Sequence, residues 1–349
     1  MEFNKKDALM TKGVAIISMV VLHLFCRVGE DVYGTPLLWV NDSTPFVFYF
    51  GFFAEICVYL YSICAGYAHG LIYEKAKERK KFLGNIKRAI KLLINYWIIL
   101  FIFCGLGLLF DKSGNIPGRI IEFLKSIVLL HSYNGAWWYL TTYIILLVIS
   151  PILIKLFKCI SVPLSVFLCI IIEVLAYFIN LPQNGDNEII NYIFVQLDNL
   201  WYVFASYWLG YILFRTNLIG RLRKCYYKKF EKYGNLILFI IFIVLFIAVN
   251  IVHKVVTMCF VAVAVFVLFN MWKKGKISNA VFCFLGEHST NIWLTHMFFY
   301  LCLFEGLVQK ALYPIPMLLF MLALCIATSY VVNFIYKIIM EKLLCGKLS

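Results

Sequence analysis

Ten apolar runs pace the chain, separated by short polar connections. The first lies in KGVAIISMVVLHLFC, Lys12 to Cys26, and the others cover about 46–73, 92–110, 137–155, 163–180, 199–214, 236–252, 255–272, 282–304 and 316–339. Each approaches the ~20 residues that an α-helix needs to cross a hydrocarbon layer about 30 Å thick. The pattern predicts an all-α, polytopic membrane protein with about ten transmembrane helices. It forms one integral membrane unit over residues 1–349, with no separate soluble domain, and the lipid bilayer is its first partner. The stretch DKSGNIPGRIIEFLKSIVLLHSYNGA (111–136) holds an apolar run too short to span, with Glu122 and Lys125 inside it, and reads as a surface or re-entrant helix. GEDVYGTPLLWVNDSTP (29–45) reads as a polar, Pro-containing loop.

Charge on the connections fixes an orientation. Eight Lys and Arg fall between Lys75 and Lys91, and assigning alternate connections to one side gathers most of the 32 Lys and Arg there. The positive-inside rule makes that side cytoplasmic and, with an even number of spans, puts both termini in the cytoplasm. Trp and Tyr collect where spans end, as at Trp137, Trp138 and Tyr139, consistent with interfacial anchoring. Composition agrees: 63% of residues are hydrophobic and 14% charged, with a mean hydropathy of +0.87. A formal charge of +14 can signal nucleic acid, but here the cations sit between apolar runs and no nucleic-acid partner is implied. The twelve Cys show no C-x-x-C and no Cys/His cluster at metal spacing, so they read as small buried apolar residues and no metal is implied. Lys5 and Lys6 before an apolar run imitate a secretory signal, but no small-x-small cleavage site follows, and the segment reads as a first helix.

Polar residues inside the runs are the candidates for chemistry, because each is costly there. Lys12 and His23 are eleven positions apart, about three helical turns and about 16 Å, so they share a face, with His23 near mid-membrane if Lys12 marks the edge. A ring so placed serves either as a packing group bonded to a backbone carbonyl or as a general base near neutral pH. Arg88 and Lys91, three apart at the start of the third span, point the same way and suit a phosphate or pyrophosphate. Glu173 lies about as deep in the fifth span as His23 in the first, where a carboxylate can orient an imidazole. Glu55 lies toward the opposite face and is read as lining an entry for a polar substrate or snorkelling outward. In FLGEHSTNIWLTHMFFY, Ser289, Asn291 and His296 belong to a stretch too polar for lipid exposure, and Ser289 and His296 share a face that turns toward a cavity.

These segments together resemble the acyltransferase-3 family of bacterial membrane acyltransferases along the whole chain. The resemblance rests on five elements in order: Lys12 and ten residues on His23; CAGY at Cys64 to Tyr67; Arg88 and Lys91; YNGAWWYLTTYIILLVISP; and LGEHSTNIWLTH. It implies an O-acyltransferase of the plasma membrane, taking an acyl group from cytoplasmic acyl-CoA, usually acetyl-CoA. The implied acceptor is a hydroxyl of a cell-surface or exported glycan, or of a lipid-linked or small hydroxylated molecule. By position, His23 is the catalytic His, and Lys12, Arg88 and Lys91 lie on the donor side. Lys at positions 12 and 91 keeps the charge of the family's Arg without its planar fork, and Ala65 replaces a Ser. A carrier in which intramembrane His and Glu relay protons or substrate is the competing class, weakened by the lack of an inverted repeat or a matching pair of broken helices. A membrane module of a larger enzyme, such as the transmembrane half of an amino-acid racemase, is weakened by the absence of a soluble catalytic domain.

Overall fold

The computed structural model describes residues 2–27, 33–75, 78–111, 113–179, 181, 187–230, 232–252 and 255–345. The first residues of the 29–45 loop and positions 76–77 of the basic block lie outside them. Thirteen α-helices form among the described residues: α1 (Lys5–Phe25), α2 (Phe46–Phe53), α3 (Cys57–Lys75), α4 (Glu78–Phe110), α5 (Ile120–Ile127), α6 (Trp138–Cys159), α7 (Val162–Phe178), α8 (Glu188–Arg215), α9 (Leu218–Lys229), α10 (Gly234–Ile251), α11 (Met258–Met271), α12 (Lys276–Met297) and α13 (Pro314–Cys345). A short antiparallel pair, β1 (Trp39–Asn41) and β2 (Thr44–Pro45), and short 3₁₀ and π turns complete the regular structure of the described residues.

Every predicted apolar run is helical. Six helical stretches are long and apolar enough to cross a membrane: Lys5–Phe25, Phe46–Lys75, Phe82–Phe110, Gly135–Cys159, Gly234–Ile251 and Pro314–Lys342. The other four miss for physical reasons. Val162–Phe178 and Val255–Met271 are short, while α8 opens with Asn191, Gln196, Asp198 and Asn199 and α12 carries Glu287, His288 and Asn291. The 111–136 connection holds only the eight-residue α5, about 12 Å long and unable to cross.

Two close helix pairs frame the interior. Where α1 crosses α12, a Cβ on Gly13 would lie 2.2 Å from the Phe282 carbonyl oxygen, and one on Gly286 would lie 2.0 Å from that of Leu9. Glycine is required on both sides, because backbone touches backbone. Gly66 and Gly210 make the same reciprocal contact between α3 and α8, against the carbonyls of Tyr207 and Ile63. The core between these pairs is rich in aromatic side chains, including Tyr59, Tyr96, Tyr207, Phe103 and Phe298, all fully buried.

The start of α1 is pinned separately. Asn4 caps it, accepting the amides of Lys6 and Asp7, while Asp7 accepts the Asn4 amide in return. Arg223 of α9 then grips Asp7 with two hydrogen bonds of 3.0 Å and donates to the Asn270 carbonyl at the end of α11. The basic 215–232 connection is thus partly a helix whose Arg fixes the height of α1, and with it of Lys12.

Candidate active site

His23 is half-buried on α1 and lines a cavity of about 250 Å³ with Leu22, Glu55, Trp138, Tyr139 and Tyr202. Glu55 therefore stands at the same cavity as the proposed base, in the single-turn 3₁₀ segment Ala54–Ile56 that links α2 to α3. The ring beside His23 is that of His296, 5.0 Å away between centroids and tilted by 38°. His296 is fully buried, and its Nδ1 donates back to the carbonyls of Trp293 (2.8 Å) and Ile292 (3.1 Å) of its own helix. A nitrogen donating to carbonyls carries the proton, so the network assigns the tautomer in which Nε2 keeps its lone pair. That Nε2 is buried with no hydrogen-bond partner among the described residues.

The two Trp-rich sequence elements interlock to hold this pair. The turn at Gly135–Trp137 meets α12 three times: Asn134 Nδ2 and Trp137 Nε1 both donate to the Leu294 carbonyl (3.1 and 2.9 Å), and Trp293 Nε1 donates to the Ala136 carbonyl (2.8 Å). YNGAWWYL and IWLTH are thus one structural unit, and it sets Trp138 and Tyr139 against His23.

Glu173 does not reach His23. It is buried in α7, which packs mainly on α8, within reach of the Cys259 thiol and close to Tyr59 and Tyr202. Equal position along two helices says nothing about their order around a bundle, and here Tyr202 of α8 is the neighbour that Glu173 and the His23 cavity share. The polarity of α12 also divides. Ser289 donates to the Gly286 carbonyl (2.8 Å) and lies by the Tyr61 hydroxyl, facing inward with His296. Asn291 faces α4 and α13, donating to Ser329 and Asn333 and accepting from Asn95 (2.6 Å). Asn291 is a helix-binding group rather than part of the cavity wall.

Lys12 and Arg88 converge on a residue that the sequence did not single out, His69, buried on α3. Its Nδ1 pairs with the Tyr207 hydroxyl at 2.9 Å. Arg88 itself is aimed by Pro151. Lacking an N–H, Pro151 frees the carbonyl of Leu147 four residues earlier, and that oxygen accepts Asn85 Nδ2 (2.9 Å) and the Ser150 hydroxyl (2.9 Å). Asn85 Oδ1 then accepts Arg88 Nη1 at 2.7 Å. The proline at the end of ISP is the sequence signal that could have pointed to Asn85. Lys91 is exposed one turn beyond Arg88. Among the described residues neither Lys12 nor Arg88 has a carboxylate partner. Between this basic end and the His23 cavity the aromatic rings follow one another: His69 to Tyr143 (6.2 Å), Tyr143 to Tyr139 (6.3 Å), with Tyr61 and Trp293 alongside Tyr139.

The profile of a family described as an acyltransferase domain matches residues 10–334, nearly the whole chain. The chain belongs to the acyltransferase-3 family. Acyltransferase-3 membership makes it a membrane acyltransferase in the general sense, and every residue of the group just described falls inside the matched span. No curated protein and no solved structure gives a match.

Proposed function

We propose that the chain moves an acyl group, most simply acetyl, from cytoplasmic acyl-CoA to a hydroxyl of a cell-surface or exported glycan or related acceptor, working in the plasma membrane with His23 as the general base. The observation that carries the reading is the pair of imidazoles, His23 at the wall of the cavity that also holds Glu55 and the buried His296 beside it. The rings are 5.0 Å apart between centroids and His296 Nε2 has no hydrogen-bond partner among the described residues, so a turn of the His23 ring brings its N–H to that lone pair. In the reaction His296 Nε2, with its lone pair fixed by the backbone bonds at Nδ1, accepts the N–H of His23. The other His23 nitrogen is then free to take the acceptor's proton. The alkoxide oxygen so formed attacks the thioester carbonyl, the C–S bond breaks, and the proton on His23 passes to the CoA thiolate. His296 steadies the imidazolium while it lasts.

Donor binding is supported by the other end. Two cations without carboxylate partners among the described residues, beside a buried His, suit a diphosphate, and Lys12 lies about 16 Å below His23 along α1. The Tyr143–Tyr139 row lies along that course, and Lys91, exposed nearby, fits the outer phosphate of the donor. All ten helical rods cross in this reading, with both termini cytoplasmic. Glu55 and Tyr202 flank the acceptor hydroxyl. The test is to reconstitute the protein in vesicles and follow CoA release from acetyl-CoA, with mass spectrometry of surface glycans from cells with and without the chain. His23→Ala is expected to abolish release; full turnover in that variant refutes the assignment.

A further inference from the structure

Trp138 has two cavities on it. Besides the His23 cavity, it walls a separate cleft of about 350 Å³ that includes Tyr192, His131, Ser132, Gln196 and Asn199. The larger grooves of the molecule are built differently: one of about 740 Å³ is walled by residues such as Leu38, Phe46 and Phe50, and one of about 520 Å³ by residues such as Phe239, Phe242 and Leu268. Unlike those two grooves, this cleft joins aromatic planes to amide, imidazole and hydroxyl groups. A saturated ring carrying several hydroxyls needs that mixture, with its C–H faces against aromatic surface and its rim met by groups that both donate and accept.

A further observation points to a ligand. Gln196 Oε1 is buried and has no hydrogen-bond partner among the described residues, an acceptor whose desolvation is left uncompensated. The cleft wall is tied to α5: Leu129, at φ +65°, is the left-handed residue that closes that helix, its amide on the Ser126 carbonyl (3.0 Å) and that of Leu130 on the Lys125 carbonyl (2.8 Å), and its own carbonyl accepts the Tyr192 hydroxyl at 2.9 Å.

We propose that the cleft is a subsite for a second ring of the acceptor: the hydroxyl to be acylated enters the His23 cavity while the neighbouring sugar unit lies across Trp138, against Tyr192 and Gln196. The inference rests on the acyl-transfer reading above and narrows it. Because the two cavities meet at one half-buried indole, a free monosaccharide engages one of them and a chain of two or more linked rings engages both. The acceptor is then an oligosaccharide or glycoside, with its length read at Trp138.

The test uses the full chain in lipid nanodiscs over an array of immobilised mono-, di- and tetrasaccharides. Retention is expected to begin at two rings. Gln196→Leu is expected to lower it about tenfold for disaccharides, the loss of one hydrogen bond with a buried group left unpaired, and to leave monosaccharides unchanged. Asn199→Ala, at a half-buried position, carries the test should Gln196→Leu fail to fold. Equal retention of mono- and disaccharides, no retention at all, or disaccharide retention untouched by both variants overturns the proposal. CoA release measured on the same preparation separates the two ideas. His23-dependent release without length preference removes the subsite alone, whereas length-dependent binding without release removes the acyl-transfer reading alone.

Discussion

Removing the His296 ring tests whether the two imidazoles act as one unit. In His296→Ala, His23 loses the neighbour 5.0 Å away, and in the proposed reaction it loses an acceptor whose bond strengthens as His23 becomes imidazolium. A hydrogen bond to a charged group is worth about 1.5–3 kcal/mol, which converts to a fall in kcat of about 10–150-fold. The full loss in His23→Ala is larger, about 10²–10⁴-fold for a general base. The double variant is expected to match His23→Ala alone, because a partner of an absent base has nothing left to steady. The KM for acetyl-CoA is expected to hold, since Lys12 and Arg88 lie at the other end of the path. His296→Gln, which keeps an acceptor oxygen, is expected to recover part of kcat. CoA release from vesicles, read as separate kcat and KM, is the assay. If His296→Ala turns over within twofold of the parent at equal thermal stability, or if the two losses multiply, the paired-imidazole argument fails.

Two other perturbations probe the frame that holds the site. Arg223 and Asp7 expose only 13% and 9% of their side chains, so Arg223→Met leaves a nearly buried carboxylate uncompensated, at about 3–5 kcal/mol. A clear drop in Tm is expected, partly reversed by adding Asp7→Asn; an unchanged Tm would show that the pair holds nothing. Lys274, in the connection between α11 and α12, donates to the carbonyls of Phe269 and Trp272. Burial pushes its ammonium down from 10.5 to about 8, with Asp7 pulling it back up and Arg223 pushing it further down. Its folded pKa lies below its unfolded one, so between these values the unfolded chain holds a proton that the folded chain has released, and stability rises with pH. Thermal unfolding from pH 7.5 to 10 should rise in the parent relative to Lys274→Met, and parallel curves would contradict the assignment.

The helices were legible because apolar runs of spanning length admit few other structures, and all ten appear where the pattern put them. The apolar signal was weaker in α8 and α12, whose polar residues serve interior contacts and dilute it. α9 was read as a connection because LIGRLRKCYYKK is dominated by charge, although Leu218, Ile219 and Leu222 recur at helical spacing. Within the site, the inward face of His296 followed from counting turns. Its meeting with His23 did not, because it depends on how α1 and α12 pack. Glu173 is the converse case: its neighbours are Cys259, Tyr59 and Tyr202, and not His23. Asn85 and His69 escaped notice because each gains its role from a residue distant in sequence: Asn85 from the carbonyl freed by Pro151, His69 from Lys12 and Arg88.

The glycine contact between α1 and α12 lies between residues 9–13 on one helix and 282–286 on the other, and each imidazole stands about twelve residues farther along, an arm of about 18 Å. The arrangement resembles scissors, with the rivet at the glycines and the working tips at His23 and His296. By this geometry a change of about 3° in the crossing angle shifts the tips by about 1 Å, enough to cost about 10² in rate. A single added methyl group at Gly13 or Gly286, far from the reacting atoms, would thus tune the gap between the two rings as directly as a change beside them.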